Sequence, residues 1–304
     1  MALNKLHKKD FAIAVKTGGN ALDEQKFAKQ ASKGELFFNS NDNKLYIATT
    51  DAGLTDATLK QVQLSDYAAP FGNTHSVDFG GTNEYAAVTT ATDNIYSLSM
   101  WFKPDSSISS SSAPQILLGT VASSHYIALG SISSDFTNEV ITVYRGAGGF
   151  AYTSNTATIS TSWNHLFVSW LSSSTTNSGS AGYDIWLNGT QVGNTAAGSI
   201  PTAPNYWGSS SKIGTRSNLF YYFDGKIDEV ATWTSNVSAD VANIYNSGNG
   251  AVDLNDTGVV STGPTHWWRM GDNDGATGTT ITDQGSAAAD ATLTNGPTFS
   301  PDAP

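Results

Sequence analysis

The chain has 304 residues, of which 13% are charged and 39% hydrophobic, and Gly, Tyr and Trp are well represented. This composition is typical of a β-rich globular protein, and the length allows one large β domain and an additional module. The net charge of −11 and the absence of cysteine argue against nucleic-acid binding, disulfides and Cys-based metal sites.

Residues 1–70 are predicted to form a separate module. They contain nine basic and eight acidic residues, whereas residues 71–304 contain six basic and eighteen acidic residues. A short strand is predicted at 11–15 and a helix at 23–31. Apolar alternation on both sides of the polar run 39–43 predicts a β-hairpin over 34–48. One hairpin is marginally stable alone, so we expect this module to need a neighbouring chain or a docking surface.

A linker is predicted at 67–73, and strands follow it. Within 96–102 the side chains of Leu98, Met100 and Phe102 fall on one face and Trp101 on the other, which predicts a half-buried strand. Further strands are predicted at 116–118, 126–129, 140–144 and 162–170. The pair Asn188-Gly189 between two apolar runs is a strong hairpin signal.

The range 222–233 contains two irregular features. Gly225 is predicted to allow a tight turn, because glycine has no Cβ to clash at positive φ. The apolar parity then slips between Ile227 and Val230, which predicts a β-bulge or bend. Asp228 and Glu229 are adjacent in an extended chain, so we expect them to point to opposite faces and not to form one site.

A short helix is predicted after this strand. Ser238 is the expected N-cap, Val241, Ile244 and Tyr245 form an apolar stripe, and Gly248 ends the helix. The ranges 266–272 and 291–295 then predict strands that return to close a sheet. The first 10 residues lack the apolar core of a signal peptide, and no stretch approaches the roughly 18 apolar residues that span a bilayer, so no membrane insertion is expected.

Five segments, in order, resemble those of a known family: Ser99-Met-Trp-Phe-Lys-Pro104, Trp163-Asn-His165, Leu187-Asn-Gly189, Phe223-Asp-Gly-Lys-Ile-Asp-Glu-Val230 with Trp233, and His266-Trp-Trp-Arg-Met-Gly-Asp272. They are similar to the laminin-G-like, concanavalin-A-like jelly-roll family as found in phage virion structural proteins, especially those of marine phages. The resemblance covers about residues 75–298. It implies an all-β fold, with a two-sheet jelly roll at 71–304 that follows the hairpin-containing attachment module at 1–70.

Catalysis is not favoured by these residues. Glycosidases of this fold class place carboxylates at alternate positions of one strand, so that both flank the scissile bond. The one dense acidic strand has Asp228 and Glu229 at adjacent positions. The five His are scattered, and no Gly-x-Ser-x-Gly elbow is present. We therefore expect a non-enzymatic protein.

Ca²⁺ is the only cofactor that the sequence suggests. The run Asp272-Asn-Asp-Gly275 partly resembles a calcium loop, although its Gly comes earlier than in an EF-hand. A jelly-roll rim can hold Ca²⁺ with carboxylates, and the candidate ligands are Asp78, Asp224 and Asp272. Asp beside Gly is also common in ordinary turns, so a structural role for each of them is the alternative.

Ligand binding by aromatic side chains is a further expectation. Trp207, Phe220, Tyr221 and Tyr222 cluster near predicted loops, where they could stack on sugar rings or bury against another subunit. Subunit contact is the favoured alternative.

The function predicted from the resemblance is that of a phage virion structural protein, such as a capsid decoration, head fibre or tail-fibre appendage. Residues 1–70 would anchor it to other capsid or tail proteins, and the jelly roll would be displayed on the virion surface after synthesis in a bacterial cytoplasm. A homo-oligomer, with a trimer favoured, is expected. The alternatives are an adhesin that binds cell-surface glycans and, less favoured, a polysaccharide-degrading enzyme.

Overall fold

A computed structural model describes residues 36–39, 44–48, 59–61, 71–109, 112–120, 125–130, 140–145, 149–153, 157–171, 182–192, 194–198 and 205–304. The chain divides into two compact units, Met1–Pro70 and Phe71–Pro304. The strand predicted at 11–15 and the helix predicted at 23–31 lie outside the described residues.

The first unit contains a three-stranded antiparallel sheet in the order β1-β2-β3, formed by Leu36–Asn39, Lys44–Ala48 and Leu59–Gln61. Strands β1 and β2 pair across the polar run, with Leu36 opposite Ile47. The predicted hairpin is therefore confirmed, and β3 is a strand that the sequence pattern did not indicate.

The second unit contains strands β4 to β22. In chain order they are Ser76–Gly80, Tyr85–Val88, Asn94–Ile95, Ser97–Pro104, Gln115–Gly119, His125–Leu129, Ile141–Arg145, Gly149–Thr153, Asn164–Leu171, Gly182–Leu187, Thr190–Val192, Asn194–Gly198, Asn205–Tyr206, Ser211–Ile213, Asp224–Trp233, His266–Trp268, Thr280–Ile281, Ala291–Thr294 and Thr298–Ser300.

Most of these strands form two antiparallel sheets. The first has nine strands in the order β15-β11-β10-β9-β8-β17-β5-β21-β20. The second has eight, in the order β14-β13-β12-β7-β18-β4-β22, and β19 pairs with β18 off this path. A separate two-stranded ladder joins β16 and β6. Two sheets with one short helix confirm the predicted concanavalin-A-like jelly roll.

The main hydrophobic core contains side chains from both large sheets. Leu98, Met100 and Phe102 of β7 belong to it, as the alternation of that strand predicts. Trp101 on the opposite face stacks over Tyr245, with ring centroids 5.9 Å apart. Burying these apolar side chains supplies the main favourable free energy of folding.

The second face of the eight-stranded sheet is also covered. A separate apolar cluster includes Phe167, Trp233 and Trp267 of this sheet, together with Val241 and Ile244 of the helical segment. Strands β7 and β12 are therefore buried on both faces over most of their length, which explains why polar side chains are also buried there.

The helical segment is short. A 3-10 turn at Ser238–Asp240 leads into the helix α1 at Val241–Tyr245, and a second 3-10 turn follows at Asn246–Gly248. Val241 and Ile244 are buried, as predicted. The predicted N-cap is wrong: no side-chain cap bond is made, and the backbone N–H of Ser238 donates to Asn236 Oδ1 at 2.9 Å.

Strands form at both C-terminal ranges where they were predicted, but they join two sheets and not one, and β22 is a further strand. β19 pairs with β18, β21 joins β5, and β22 lies beside β4. Gly225 differs from expectation, because it lies within β18 at φ +136°, opposite Phe79 and Pro104, and not in a turn. A Cβ there would lie 2.3 Å from the carbonyl oxygen of Lys103, so close strand packing requires glycine. Among the described residues, no helix is long and apolar enough to cross a membrane.

Candidate functional site: an aromatic turn above a groove

The four aromatic residues predicted to bind a ligand do not lie together. Trp207 is 1% exposed, and its ring contacts that of Trp268 edge-on at 5.3 Å. Its indole N–H donates to Thr232 Oγ1 at 3.2 Å. Trp207 is therefore part of the main core and offers no face to a ligand. The sequence indicated only that Trp207 lies near a loop, and its tertiary packing shows the burial.

The other three aromatic residues lie on one turn. Phe220 is 59% exposed, Tyr221 is 42% exposed, and Tyr222 beside them is half-buried. Leu219 on the same turn is 42% exposed. These are the exposed large hydrophobic residues of the described part of the chain, and they are consecutive. A contiguous exposed apolar patch of this kind marks an interaction site more often than a scattered one does.

The backbone of this turn is strained and held in place. Leu219 and Tyr221 have φ of 64° and 61°, a left-handed conformation that costs about 1–2 kcal/mol for a residue with a side chain. Hydrogen bonds between described residues support it: Leu219 N–H donates to Arg216 O at 2.9 Å, and Phe220 O accepts from Arg216 N–H at 3.3 Å and from Thr215 Oγ1 at 3.2 Å. Ile116 N–H donates to Tyr221 O at 3.0 Å. The rings are therefore exposed at a fixed position beside strand β8.

A groove of about 520 Å³ lies next to the turn. Tyr221 and Tyr222 line it together with two polar side chains, Gln115 and Asp224. Its other lining residues are small or apolar: Gly81, Ser106, Ile108, Ser112, Ala113 and Pro114. An aromatic wall with a few polar groups is the usual lining of a small-ligand site.

One glycine keeps part of this groove open. Gly81 has φ +71°, and a Cβ at this position would lie 2.8 Å from the Cβ of Asp224. The Asp224 backbone is fixed as well, because its N–H donates to Gln115 Oε1 at 3.0 Å. The pKa of the Asp224 carboxyl is raised, first by burial and then by the charges of Asp105, Asp78 and Glu84.

The three carboxylates predicted to bind Ca²⁺ do not form one site. Asp78 and Asp224 lie near the groove, where Asp78 forms an ion pair with Lys226 at 3.3 Å. Asp272 lies elsewhere and accepts hydrogen bonds from Thr74 N–H at 3.0 Å and Thr74 Oγ1 at 2.7 Å. Asp78 on β4 and Asp224 on the paired strand β18 therefore lie at one end of the sheet, whereas Asp272 follows β19 and lies apart from them.

Asp272 instead joins Asp228 and Glu229, and carboxylate oxygens of all three lie within 4.8 Å of one another. The prediction that Asp228 and Glu229 point to opposite faces is therefore wrong. Its cause is the β-bulge that the parity slip indicated: the register of β18 shifts between Asp228 and Ala231, and Glu229 adopts φ 50°. The extra residue turns both carboxylates to one side.

Burial dominates the electrostatics of this acidic cluster of Asp228, Glu229 and Asp272. It raises the pKa of Glu229 to about 7, although the Arg269 guanidinium lies 3.1 Å from Glu229 Oε1 and opposes the shift. Burial, and next the charge of Glu229, raise the pKa of Asp228. Three carboxylates with one guanidinium leave negative charge, and oxygen ligands of this type suit Ca²⁺. Ca²⁺ binding stays a prediction.

The acidic cluster is covered by the segment 71–75. Phe71 stacks on Trp267 with ring centroids 5.8 Å apart, and Arg269 lies 4.0 Å from the Phe71 ring centroid. Asn73 Nδ2 donates to Asp228 Oδ2 at 2.9 Å. The predicted linker therefore ends before Phe71, because these residues pack into the second unit. The same cover keeps Asp228 and Glu229 away from any open cleft.

Known proteins share this fold. The family described as the concanavalin A-like lectin/glucanases superfamily matches residues 78–243. A candidate carbohydrate-binding protein from Bacteroides ovatus has a TM-score of 0.53 and 15% identity, and the alignment covers 88% of this chain and 70% of that one. At this identity, the likeness establishes the fold alone.

Two other solved structures are less similar. Domain 4 of AbnA, an extracellular arabinanase from Geobacillus stearothermophilus solved with arabinotriose, has a TM-score of 0.34 and 18% identity, covering 51% of this chain and 68% of that one. A pentraxin from Limulus polyphemus has a TM-score of 0.39 and 13% identity, covering 57% and 82%. A search of curated proteins finds no relative of this chain.

Proposed function

Because the chain belongs to the concanavalin A-like lectin/glucanases superfamily, we propose that its jelly roll binds glycans, without cleaving them, in the groove beside the turn 216–221. The observation that carries this proposal is the exposure of Phe220 and Tyr221 on a strained, hydrogen-bonded turn next to that groove. A protein that only needed a turn here would relieve the strain with glycine, because glycine adopts positive φ without a Cβ clash.

The lining of the groove has the two kinds of group that sugar recognition needs. Tyr221 and Tyr222 supply aromatic faces for the apolar C–H face of a sugar ring, and each also has a hydroxyl. Gln115 and Asp224 supply hydrogen-bonding groups for the ring hydroxyls. Gln115 uses its carbonyl oxygen to accept from the Asp224 backbone, so its amide N–H₂ remains to donate.

Binding without cleavage is supported by the carboxylates. Glycosidases flank the scissile bond with two carboxyl groups, and among the described residues that line the groove only Asp224 carries one. The pair Asp228 and Glu229 lies buried under the segment 71–75. The carbohydrate-binding protein of the same fold is consistent with this proposal.

The test is a glycan array followed by titration calorimetry on the wild-type chain and two variants. Tyr221→Ala removes an aromatic wall of the groove and should weaken binding of any positive glycan about three- to tenfold, since an aromatic contact contributes roughly 0.5–1.5 kcal/mol. Leu219→Ala is the matched control, because it truncates an exposed side chain of the same turn that does not line the groove. Equal affinity of Tyr221→Ala and wild type, or the absence of any glycan ligand, refutes the proposal.

Two assays separate the alternatives. Release of reducing sugar from a bound glycan would show an enzyme. A change of oligomeric mass in Tyr221→Ala would instead support the subunit contact that the exposed aromatic residues first suggested.

The virion role completes the proposal: the first unit anchors the protein to a phage particle and the jelly roll is displayed outward. Its support is the resemblance of the sequence to phage virion structural proteins; the argument from a lone hairpin no longer applies, because β3 pairs with β2 in a three-stranded sheet. The test compares the oligomeric mass of the full chain with a truncation that begins at Phe71, which retains the contacts of Phe71 and Asn73. A trimeric full chain with a monomeric, folded truncation is expected; two monomers would refute anchoring by residues 1–70.

A further inference from the structure

Four carboxylates collect at one end of the eight-stranded sheet, beside the groove. β18 begins there, with Asp224 opposite Gly80 of β4, and the N–H of Asp105 donates to Asp224 O at 3.1 Å after the end of β7. Glu84 accepts a hydrogen bond from the Gly80 N–H, and Asp78 is two residues before Gly80 on β4. The charges of Asp78, Glu84 and Asp105 all act on Asp224.

Few cations compensate these four carboxylates. Lys226 forms an ion pair with Asp78, at 3.3 Å. Lys103 on the neighbouring strand forms its ion pair with Asp302 instead, at 2.7 Å. The Arg216 guanidinium lies over the rings of Tyr126 and Tyr221, 4.7 and 5.8 Å from their centroids.

The Asp224 carboxylate has no hydrogen bond and no ion pair with any residue in the described part of the chain. It is half-buried and lines the groove. Ionisation of the Asp224 carboxyl is less favourable than in water, because burial and the charges of three neighbouring acids both oppose it. A bound cation would stabilise the ionised carboxylate through a charge-assisted hydrogen bond, whereas a bound anion would destabilise it further.

We infer that the groove selects glycans that carry free amino groups and rejects glycans that carry carboxylate or sulfate groups, with Asp224 as the residue that makes this choice. The inference rests on the proposed glycan-binding function. The aromatic turn supplies affinity for the sugar rings, and the uncompensated carboxylate supplies the charge preference. The acidic character of residues 71–304, with six basic and eighteen acidic residues, acts in the same direction at longer range.

The experiment measures the affinity of the full chain for three oligosaccharides of equal length: a chitosan oligomer with free amines, a chitin oligomer with N-acetyl groups, and an oligogalacturonate. At low ionic strength we expect the chitosan oligomer to bind about fivefold or more tightly than the chitin oligomer, since one partly screened ion pair contributes on the order of 1 kcal/mol. No binding of oligogalacturonate is expected. Raising the salt concentration to about 0.5 M should reduce the difference, because the Debye length then falls to a few ångströms.

Two variants test whether Asp224 causes the preference for the chitosan oligomer. Asp224→Asn should abolish the preference for the chitosan oligomer and leave affinity for the chitin oligomer within about twofold, because the amide still hydrogen-bonds to hydroxyls. Asp256→Asn is the matched control, since it removes one negative charge at an exposed residue outside the groove lining, and it should keep the preference.

The outcomes separate this inference from the proposed function. If the chitin oligomer binds and the chitosan oligomer binds no better, or if Asp224→Asn keeps the preference, the charge selection is refuted while glycan binding stands. If the preference is also lost in Asp256→Asn, the selection comes from the total charge of the protein and Asp224 is not its cause. If none of the three binds and a glycan array is also negative, both proposals fail.

Discussion

His165 should make the stability of the jelly roll depend on pH in a way that one substitution can isolate. Its ring is fully buried between Trp101 and Tyr245, with centroid distances of 5.0 and 5.7 Å. Its Nε2 lies 2.8 Å from Ser99 Oγ, and its Nδ1 has no partner in the described part of the chain. Burial lowers the pKa of His165 from 6.5 to about 3.

The direction of the effect follows from proton binding. Below about pH 6.5 the unfolded chain binds a proton on this His, while the folded protein does not until the pH approaches 3. Stability is therefore fully present above pH 6.5 and is lost as the pH falls toward 3. Each pH unit within that window corresponds to about 1.4 kcal/mol, so lowering the pH from 6.5 to 4.5 should remove about 2–3 kcal/mol through His165 alone.

The assay is urea unfolding followed by tryptophan fluorescence between pH 4.5 and 7.5, on the wild type and on His165→Phe. The variant loses the bond to Ser99, which lowers its stability at pH 7 by about 1 kcal/mol, but it has no group to protonate at this position. The free energy of unfolding of the wild type minus that of the variant should fall by about 2–3 kcal/mol from pH 6.5 to 4.5, so the variant becomes the more stable protein at pH 4.5, by about 1–2 kcal/mol.

The other titrating groups are common to both proteins and cancel in this difference. Parallel curves for wild type and His165→Phe would show that the buried ring does not resist protonation, and the reasoning would be refuted.

Three further predictions concern packing and charge. Asp228→Asn should raise the melting temperature more at pH 8 than at pH 5, because the raised pKa of Asp228 means that stability is lost as the pH rises. If Ca²⁺ occupies the cluster, the gain at pH 8 should be absent, and EDTA should lower the melting temperature of the wild type but not that of the variant. Gly189→Ala should lower the free energy of unfolding by about 2 kcal/mol or more, since its Cβ would lie 2.3 Å from Tyr245 Cδ1. Gly278→Ala is the control, because Gly278 has a similar φ with open space around it, and it should cost about 1 kcal/mol. Equal losses in the two variants would contradict the clash. Asp283→Ala should lower the free energy of unfolding in urea by about 3 kcal/mol or more, because this carboxylate accepts hydrogen bonds from three backbone N–H groups and a His ring. The lowered pKa of Asp283 means that this contribution is present at neutral pH and lost on acidification. A variant as stable as the wild type at pH 7 would refute this role.

Short-range patterns predicted several elements correctly. The alternation in 96–102 identified β7 and its core face, because successive strand side chains point to opposite sides. Asn188-Gly189 identified the hairpin between β13 and β14, since both residues adopt the positive φ that such a turn needs. The parity slip identified the bulge in β18. The five family-like segments indicated the jelly roll as a whole.

The candidate site was predicted only in part. Phe220, Tyr221 and Tyr222 are adjacent in sequence and therefore stayed together, but Trp207 proved to be a core residue. Nothing local to Trp207 indicates that the ring of Trp268 packs against it. The groove itself was not predicted, because Gly81, Gln115 and Tyr221 come from three separate segments that only the sheet topology brings together.

The acidic cluster shows most clearly which features depend on the local sequence and which depend on tertiary packing. The sequence by itself determined that β18 has a bulge, because side-chain parity is a property of a few consecutive residues. Only the tertiary structure decided that Asp228, Glu229 and Asp272 meet, and that the segment 71–75 covers them. Local conformation depends on neighbours along the chain, whereas burial and charge compensation depend on which distant segments pack together, and that packing is settled by the whole core.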